Sequence, residues 1–191
     1  MSKIVYIIPG FTEDINAKSY QEVIRSFEAQ SFRVVPVEIS WKYRVMSDYV
    51  EEFLDQVSHN KNDEVYLFGF SFGAMIAFIS ATEIDPRTLF LCSLSPFFKE
   101  DLENLPKYVK KDIGKKRLED LGNYSFKKLA GKINCRTILV AGEKETRDLL
   151  ERVENTHKKI KDSELFIINK ARHNISQKEY WNKLREIIST L

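Results

Sequence analysis

The sequence predicts an α/β fold: a doubly wound, mostly parallel six-stranded sheet in a three-layer α/β/α sandwich, with a short helical cap insertion. Three observations carry this. Short apolar runs bounded by turn residues recur along the 191-residue chain, amphipathic helical stretches lie between them, and four of the seven glycines fall where strands should end. Most of the runs lack polar alternation, as expected for strands covered on both faces of a parallel sheet. Regular alternation of strand and helix then favours the layered α/β arrangement over separate α and β regions.

The first strand is expected at residues 4–8, five apolar residues that run into Pro9-Gly10 and are too short for an export signal. A helix follows over 17–30, with Tyr20, Val23, Ile24 and Phe27 at i, i+3, i+4, i+7 spacing. The second strand is expected at 33–39. The next helix, 47–57, repeats the spacing with Tyr49, Val50, Phe53, Leu54 and Val57. A third strand at 64–68 leads into an apolar helix at 72–83, and a fourth strand follows at 88–93. Fifth and sixth strands are expected at 137–140 and 164–168, with helices at 146–161 and 176–190. Ser176 and Glu179 stand three apart, as in a capping box opening the last helix.

Residues 97–135 interrupt the alternation. They contain no convincing strand, hold Gly114, Gly122 and Gly131, and carry ten basic against six acidic side chains. This segment is expected to be a helical cap or lid within a single domain spanning 1–191.

Composition narrows the function classes. The chain has 30 Lys+Arg against 28 Asp+Glu, a formal charge of +2, and 43% hydrophobic residues. This fits one ordinary globular domain and gives no support to a nucleic-acid partner, which would show a strongly basic domain. Cys92 and Cys135 are too few for a disulfide framework and lack metal-ligand spacing. A reducing, cytoplasmic location, no metal and no organic cofactor are expected. No apolar run reaches the ~18 residues of a membrane span, and the first turn lacks the GxGxxG of a dinucleotide site.

The remaining glycines sit at carboxyl ends of expected strands, the edge where open parallel sheets bind ligands. Gly10 ends the first, Gly69 and Gly73 flank Ser71 after the third, and Gly142 ends the fifth. Gly69-Phe70-Ser71-Phe72-Gly73 is a GxSxG motif between a strand and a helix, the context in which a sharp turn exposes a nucleophilic serine. A Gly-rich packing turn is the bland alternative.

A serine hydroxyl needs a base, usually a histidine held by a third group. His59 lies in a polar turn before the third strand, at the opposite edge, and His157 lies on a solvated helical surface. His173 instead follows the last strand at the carboxyl edge and is the candidate base. The orienting acid should lie between serine and histidine, also at a strand's carboxyl end. Glu145 is the choice, with Glu143 and Asp148 as rivals. The backbone N–H groups of Phe72, directly after the serine, and Phe11, after the first strand, are the expected oxyanion donors. Phe11, Phe70 and Phe72 could also wall an acyl pocket or simply fill the core.

These residues together resemble the α/β-hydrolase fold superfamily, in which GxSxG is followed by acid and then histidine. The resemblance covers essentially the whole chain outside the cap. It implies a small serine hydrolase of esterase, lipase or thioesterase type, with a cap between the fourth and fifth strands. Two departures stand out: the first turn reads Ile8-Pro9-Gly10-Phe11 where many members have His-Gly, and the antiparallel strands of larger members are not seen ahead of it.

The expected activity is cleavage of a carboxylic ester or thioester in a small-molecule acyl substrate, through an acyl-enzyme on Ser71. The alternative is a non-catalytic binding protein of the same fold. The basic stretch from Lys107 to Arg117 could meet an anionic leaving group, or be a solvated helical face.

Overall fold

A computed structural model describes residues 2–191. Six strands, β1 (Lys3–Ile8), β2 (Arg33–Pro36), β3 (Glu64–Phe70), β4 (Thr88–Cys92), β5 (Arg136–Gly142) and β6 (Ser163–Ile168), form one sheet in the order β2-β1-β3-β4-β5-β6. Every pairing is parallel. The helices on its faces are α1 (Lys18–Glu28), α2 (Met46–Gln56), α3 (Phe72–Ile84), α7 (Arg147–Lys159) and α8 (Lys178–Ile188). Between β4 and β5 lie a 3₁₀ turn (Leu102–Asn104), α4 (Lys107–Ile113), α5 (Lys115–Leu121) and α6 (Phe126–Ala130).

Alternation along the strands divides the core in two. Ile4, Tyr6 and Ile8 of β1 pack with α2, α3 and α7, while Val5 and Ile7 pack with α1 and α8. A strand buried on both faces reads as a near-continuous apolar run, as β4 does from Leu89 through Phe90 and Leu91 to Cys92. Helix α3 is buried on nearly all sides, from Gly73 to Ala81, and so carries no amphipathic stripe. The chain steps outward from β1 to β2, crosses back over β1 to β3, and then proceeds in the opposite direction from β3 to β6. The crevice at the carboxyl ends of β1 and β3 is therefore the topological switch point, where α/β sheets bind ligands.

The structure corrects several expected bounds. Strand β3 runs two residues beyond 68, because Gly69 and Phe70 still pair with Leu91 and Cys92 of β4. The glycine that reads as a turn residue is inside the ladder. Strand β2 stops at Pro36, short of 39, consistent with proline at the end of an edge strand. The capping box at Ser176 does not form. The Asn174 carboxamide accepts the Ser176 N–H at 2.8 Å, an Asx turn that holds Ser176 outside the helix, and α8 opens after Gln177 instead.

Residues 97–135 contain no strand and rest on the core of the sheet. Phe98 and Phe126 meet Phe78 of α3 at ring distances of 5.5 and 5.9 Å. The buried Arg152 of α7 lies 3.9 Å over the Phe126 ring and pairs with Asp101. Glu100 accepts the Ser125 hydroxyl and the Phe126 N–H, anchoring the start of α6. Among the described residues, no helix is long and apolar enough to cross a membrane.

Candidate active site

Ser71 sits between β3 and α3 with φ 56° and ψ −117°, a backbone region that non-glycine residues seldom adopt. The turn is held by the Ser71 N–H, which donates to the Cys92 carbonyl at 2.9 Å, and by the Ser71 carbonyl, which accepts from Ala74 N–H at 3.1 Å. The residues two positions before and after it must be glycine for want of space. A Cβ on Gly69 would lie 2.2 Å from the Gly73 carbonyl oxygen, and one on Gly73 would lie 2.3 and 2.4 Å from the carbonyl oxygens of Ile8 and Pro9. Gly73→Ala is expected to destabilise the chain by about 2–4 kcal/mol, since backbone rather than a flexible side chain must yield. Urea or thermal unfolding measures this; wild-type stability in the variant would refute the packing argument.

His173, in the loop after β6, faces Ser71 with Nε2 at 2.9 Å from the hydroxyl oxygen. Its Nδ1 lies 2.6 Å from Glu145 Oε2. The imidazole is partly exposed, at 43%, whereas the Glu145 side chain is fully buried. A carboxylate facing Nδ1 puts the imidazole proton there and leaves Nε2 free to accept the serine proton. The Phe70 ring lies 5.1 Å from the imidazole and limits its rotation.

Glu145 stands three residues past Gly142, and its Oε1 turns back to accept the Gly142 N–H at 2.8 Å. The same oxygen accepts the Ser93 hydroxyl at 2.6 Å, and Ser93 Oγ in turn lies 2.7 Å from the Tyr180 hydroxyl. Burial first, then the neighbouring Cys92 and Glu145, push the Tyr180 phenol well above its usual value, so it stays a hydrogen-bond donor. Burial and Glu145 likewise raise the Cys92 thiol, which stays neutral. Of the rival acids, Glu143 accepts the Lys170 N–H at 2.8 Å, and Asp148, in the first turn of α7, borders the cavity that holds Ser71 and His173, but the carboxylate at His173 Nδ1 is that of Glu145. His59 is exposed in the turn before β3, and His157 lies beside Ser163 at the far end of α7. Neither approaches Ser71.

Among the described residues, the N–H groups of Phe11 and Phe72 have no hydrogen-bond acceptor in the protein. The turn bearing Phe11 is fixed one residue earlier. There the Gly10 N–H donates to the Tyr20 hydroxyl at 2.8 Å and to Glu13 at 3.1 Å, while Tyr20 donates to Glu13. Burial first, and then Glu13, raise the Tyr20 phenol far above its usual range.

Sequence reasoning missed Ser93, Ser95, Tyr180 and the Glu13–Tyr20 brace. Ser95 Oγ lies 3.3 Å from Ser71 Oγ and is buried. Ser93 and Ser95 follow the carboxyl end of β4, the same signal that singled out the other candidates, and Ser93 also takes a left-handed backbone at φ 52°.

Ser71 and His173 open into a cavity of about 360 Å³ walled by Phe11, Phe72, Leu149 and, from the 97–135 segment, Phe97, Leu105, Tyr108 and Val109. Among the described residues, no three His, Cys, Asp or Glu side chains converge in a way that could hold a metal ion.

No family model matches the sequence, nor does any curated protein. Solved structures do. Est1E from Butyrivibrio proteoclasticus superposes with a TM-score of 0.84 at 14% identity, over 99% of this chain and 88% of that one. Alpha/beta hydrolase domain-containing protein 10 from mouse gives 0.75 at 14% identity, over 98% and 88%. The thioesterase domain from the curacin biosynthetic pathway gives 0.69 at 15% identity, over 98% and 91%. Likeness of this extent at such low identity is likeness of fold, and with the all-parallel sheet, the strained serine turn and the strand order described above, the chain has the α/β-hydrolase fold.

Proposed function

We propose that this chain is a serine hydrolase that cleaves a carboxylic ester or thioester of a small-molecule acyl substrate, with residues 97–135 as a cap over the site. The observation that carries the reading is the continuous relay from Glu145 through His173 to Ser71, at 2.6 and 2.9 Å. Nucleophile, base and orienting acid within hydrogen-bond reach are the arrangement that acyl transfer needs.

In this reading Ser71 Oγ attacks the acyl carbonyl carbon while His173 Nε2 takes the hydroxyl proton. Negative charge gathers on the carbonyl oxygen, where the N–H groups of Phe11 and Phe72 receive it. The tetrahedral intermediate collapses as the bond to the leaving oxygen or sulfur breaks, and the imidazolium returns its proton to that atom. Water, deprotonated by His173, then attacks the acyl-serine, releasing the acid and restoring Ser71. Glu145 holds the tautomer and stabilises the imidazolium. The apolar walls of the Ser71 cavity suit an acyl group.

Turnover of p-nitrophenyl acetate, butyrate and octanoate tests the reaction class. Saturable hydrolysis of at least one is expected; tight ester binding without turnover would favour a non-catalytic binding protein.

Ser93 should matter to the rate without touching substrate. Its hydroxyl shares the charge of Glu145 from the side away from His173, and a hydrogen bond to a charged group contributes about 1.5–3 kcal/mol. Ser93→Ala is expected to lower kcat about tenfold, with KM within about twofold of wild type. An unchanged kcat in a normally folded variant would remove Ser93 from the account.

A further inference from the structure

A second and larger groove, of about 880 Å³, lies beside the Ser71 cavity and shares Phe11 with it. One wall is the loop from Trp41 to Val45, between β2 and α2, and the other is the α4–α5 junction from Ile113 to Arg117. Five of its lining residues are cationic, Lys42, Arg44, Lys115, Lys116 and Arg117, and none is acidic. Two of the five have carboxylate partners that are not part of the wall: Glu52 for Arg44 at 3.2 Å and Glu119 for Lys115 at 3.7 Å. Among the described residues, Lys42, Lys116 and Arg117 have none.

Arg117 is oriented without being neutralised. Its guanidinium donates to the carbonyl oxygens of Arg44 at 3.0 Å and Trp41 at 3.4 Å, joining the two walls. It also lies 5.1 Å over the Phe11 ring, which puts a fixed positive charge one side chain away from the Ser71 cavity. Apolar surface accompanies the charge. Tyr43 is 83% exposed on a left-handed backbone at φ 61°, and Trp41 packs edge-on against Phe11 at 5.4 Å. A face that only solvates the fold mixes both signs and hides its aromatics. A concave wall of one sign over low-dielectric rings focuses its field and concentrates anions.

We propose that this groove is the leaving-group subsite, so that the substrate is an acyl ester or thioester whose alcohol or thiol half carries a phosphate or carboxylate. The inference rests on Ser71 being the nucleophile. With the scissile carbonyl at Ser71, the apolar cavity takes the acyl chain and the other half passes Phe11 toward Arg117, Lys42 and Lys116. Hydrolysis then yields a carboxylic acid and an anionic alcohol or thiol, the latter protonated by His173 at the oxygen or sulfur that departs.

The test compares butyryl esters of 4-hydroxyphenyl phosphate, 4-hydroxybenzoate and, as neutral counterpart, 4-hydroxybenzamide, each rate being normalised to uncatalysed hydrolysis. The better anionic ester is expected to exceed the neutral one in kcat/KM by about tenfold, mainly through KM, with the gap closing at high ionic strength. A larger gain for the phosphate ester identifies phosphate as the preferred anion, and a larger gain for the benzoate identifies a carboxylate. In Lys42→Gln/Lys116→Gln, both exposed positions, the ratio of anionic to neutral ester should fall to within about twofold of unity. Equal handling of all three esters by the wild type, or a ratio unchanged in the double variant, overturns the subsite and leaves the hydrolase reading intact. If no ester is hydrolysed, the reaction is wrong, and calorimetric titration with phenyl phosphate decides the groove: binding that the double variant loses keeps an anion site there, and no binding removes it.

Discussion

Ser71→Ala is expected to lower kcat for p-nitrophenyl butyrate by a factor on the order of 10⁵ to 10⁶, with thermal unfolding close to wild type. The strained turn is set by Gly69, Gly73 and the backbone bonds of Ser71, all of which alanine leaves in place. What disappears is the oxygen 2.9 Å from His173 Nε2. His173→Ala should reach a similar depth by a different route, because the hydroxyl then has no base to take its proton. The double variant should be scarcely slower than either single one, since the two groups act as a unit. Multiplicative losses would mean that Ser71 and His173 serve separate steps. Full activity in Ser71→Ala would place the chemistry elsewhere.

Glu145→Gln is expected to cost about 10⁴-fold in kcat, with little change in KM. The reason lies in which side of the carboxylate is already committed. Oε1 accepts from the Gly142 N–H and the Ser93 hydroxyl, so the carboxamide oxygen of glutamine is held on that side. Its NH₂ group must then face His173 Nδ1, a donor meeting a donor. The imidazole responds by carrying its proton on Nε2, pointed at Ser71 Oγ, and can no longer act as a base. Proton NMR of the imidazole reports the tautomer directly. A loss below about tenfold, with the proton still on Nδ1, would show that Glu145 does not govern it.

How much of this was legible in the sequence depended on distance along the chain. Strand and helix order followed from apolar periodicity, which is local, and the bounds that slipped did so where a local signal had two meanings. Gly69 reads as a turn residue but pairs with Leu91 in the sheet. Ser176 and Glu179 read as a cap, but Asn174 reaches the Ser176 N–H first. Ser71, His173 and Glu145 could be singled out because each follows a strand's carboxyl end, and a parallel sheet gathers those ends on one edge.

The residues that support them have no such mark. Ser93 meets Glu145 across 52 positions and Tyr180 across 87, contacts set by strand register and helix packing, to which no short motif corresponds. Tyr20 reads as one apolar member of the α1 stripe, yet its hydroxyl passes through the core to hold the Gly10 N–H. The basic stretch was visible as charge alone. That it forms a concave wall with Trp41 and Tyr43 depends on α5 meeting the loop after β2, which only the fold supplies.

The central claim is that Ser71 becomes covalently acylated through His173. Peptide-resolved mass spectrometry after exposure to a fluorophosphonate ester tests it most directly. A single adduct on Ser71 is expected, forming in the wild type, absent in Ser71→Ala and far slower in His173→Ala. An unmodified Ser71 in a chain that still hydrolyses esters, or an adduct at another residue, would contradict it.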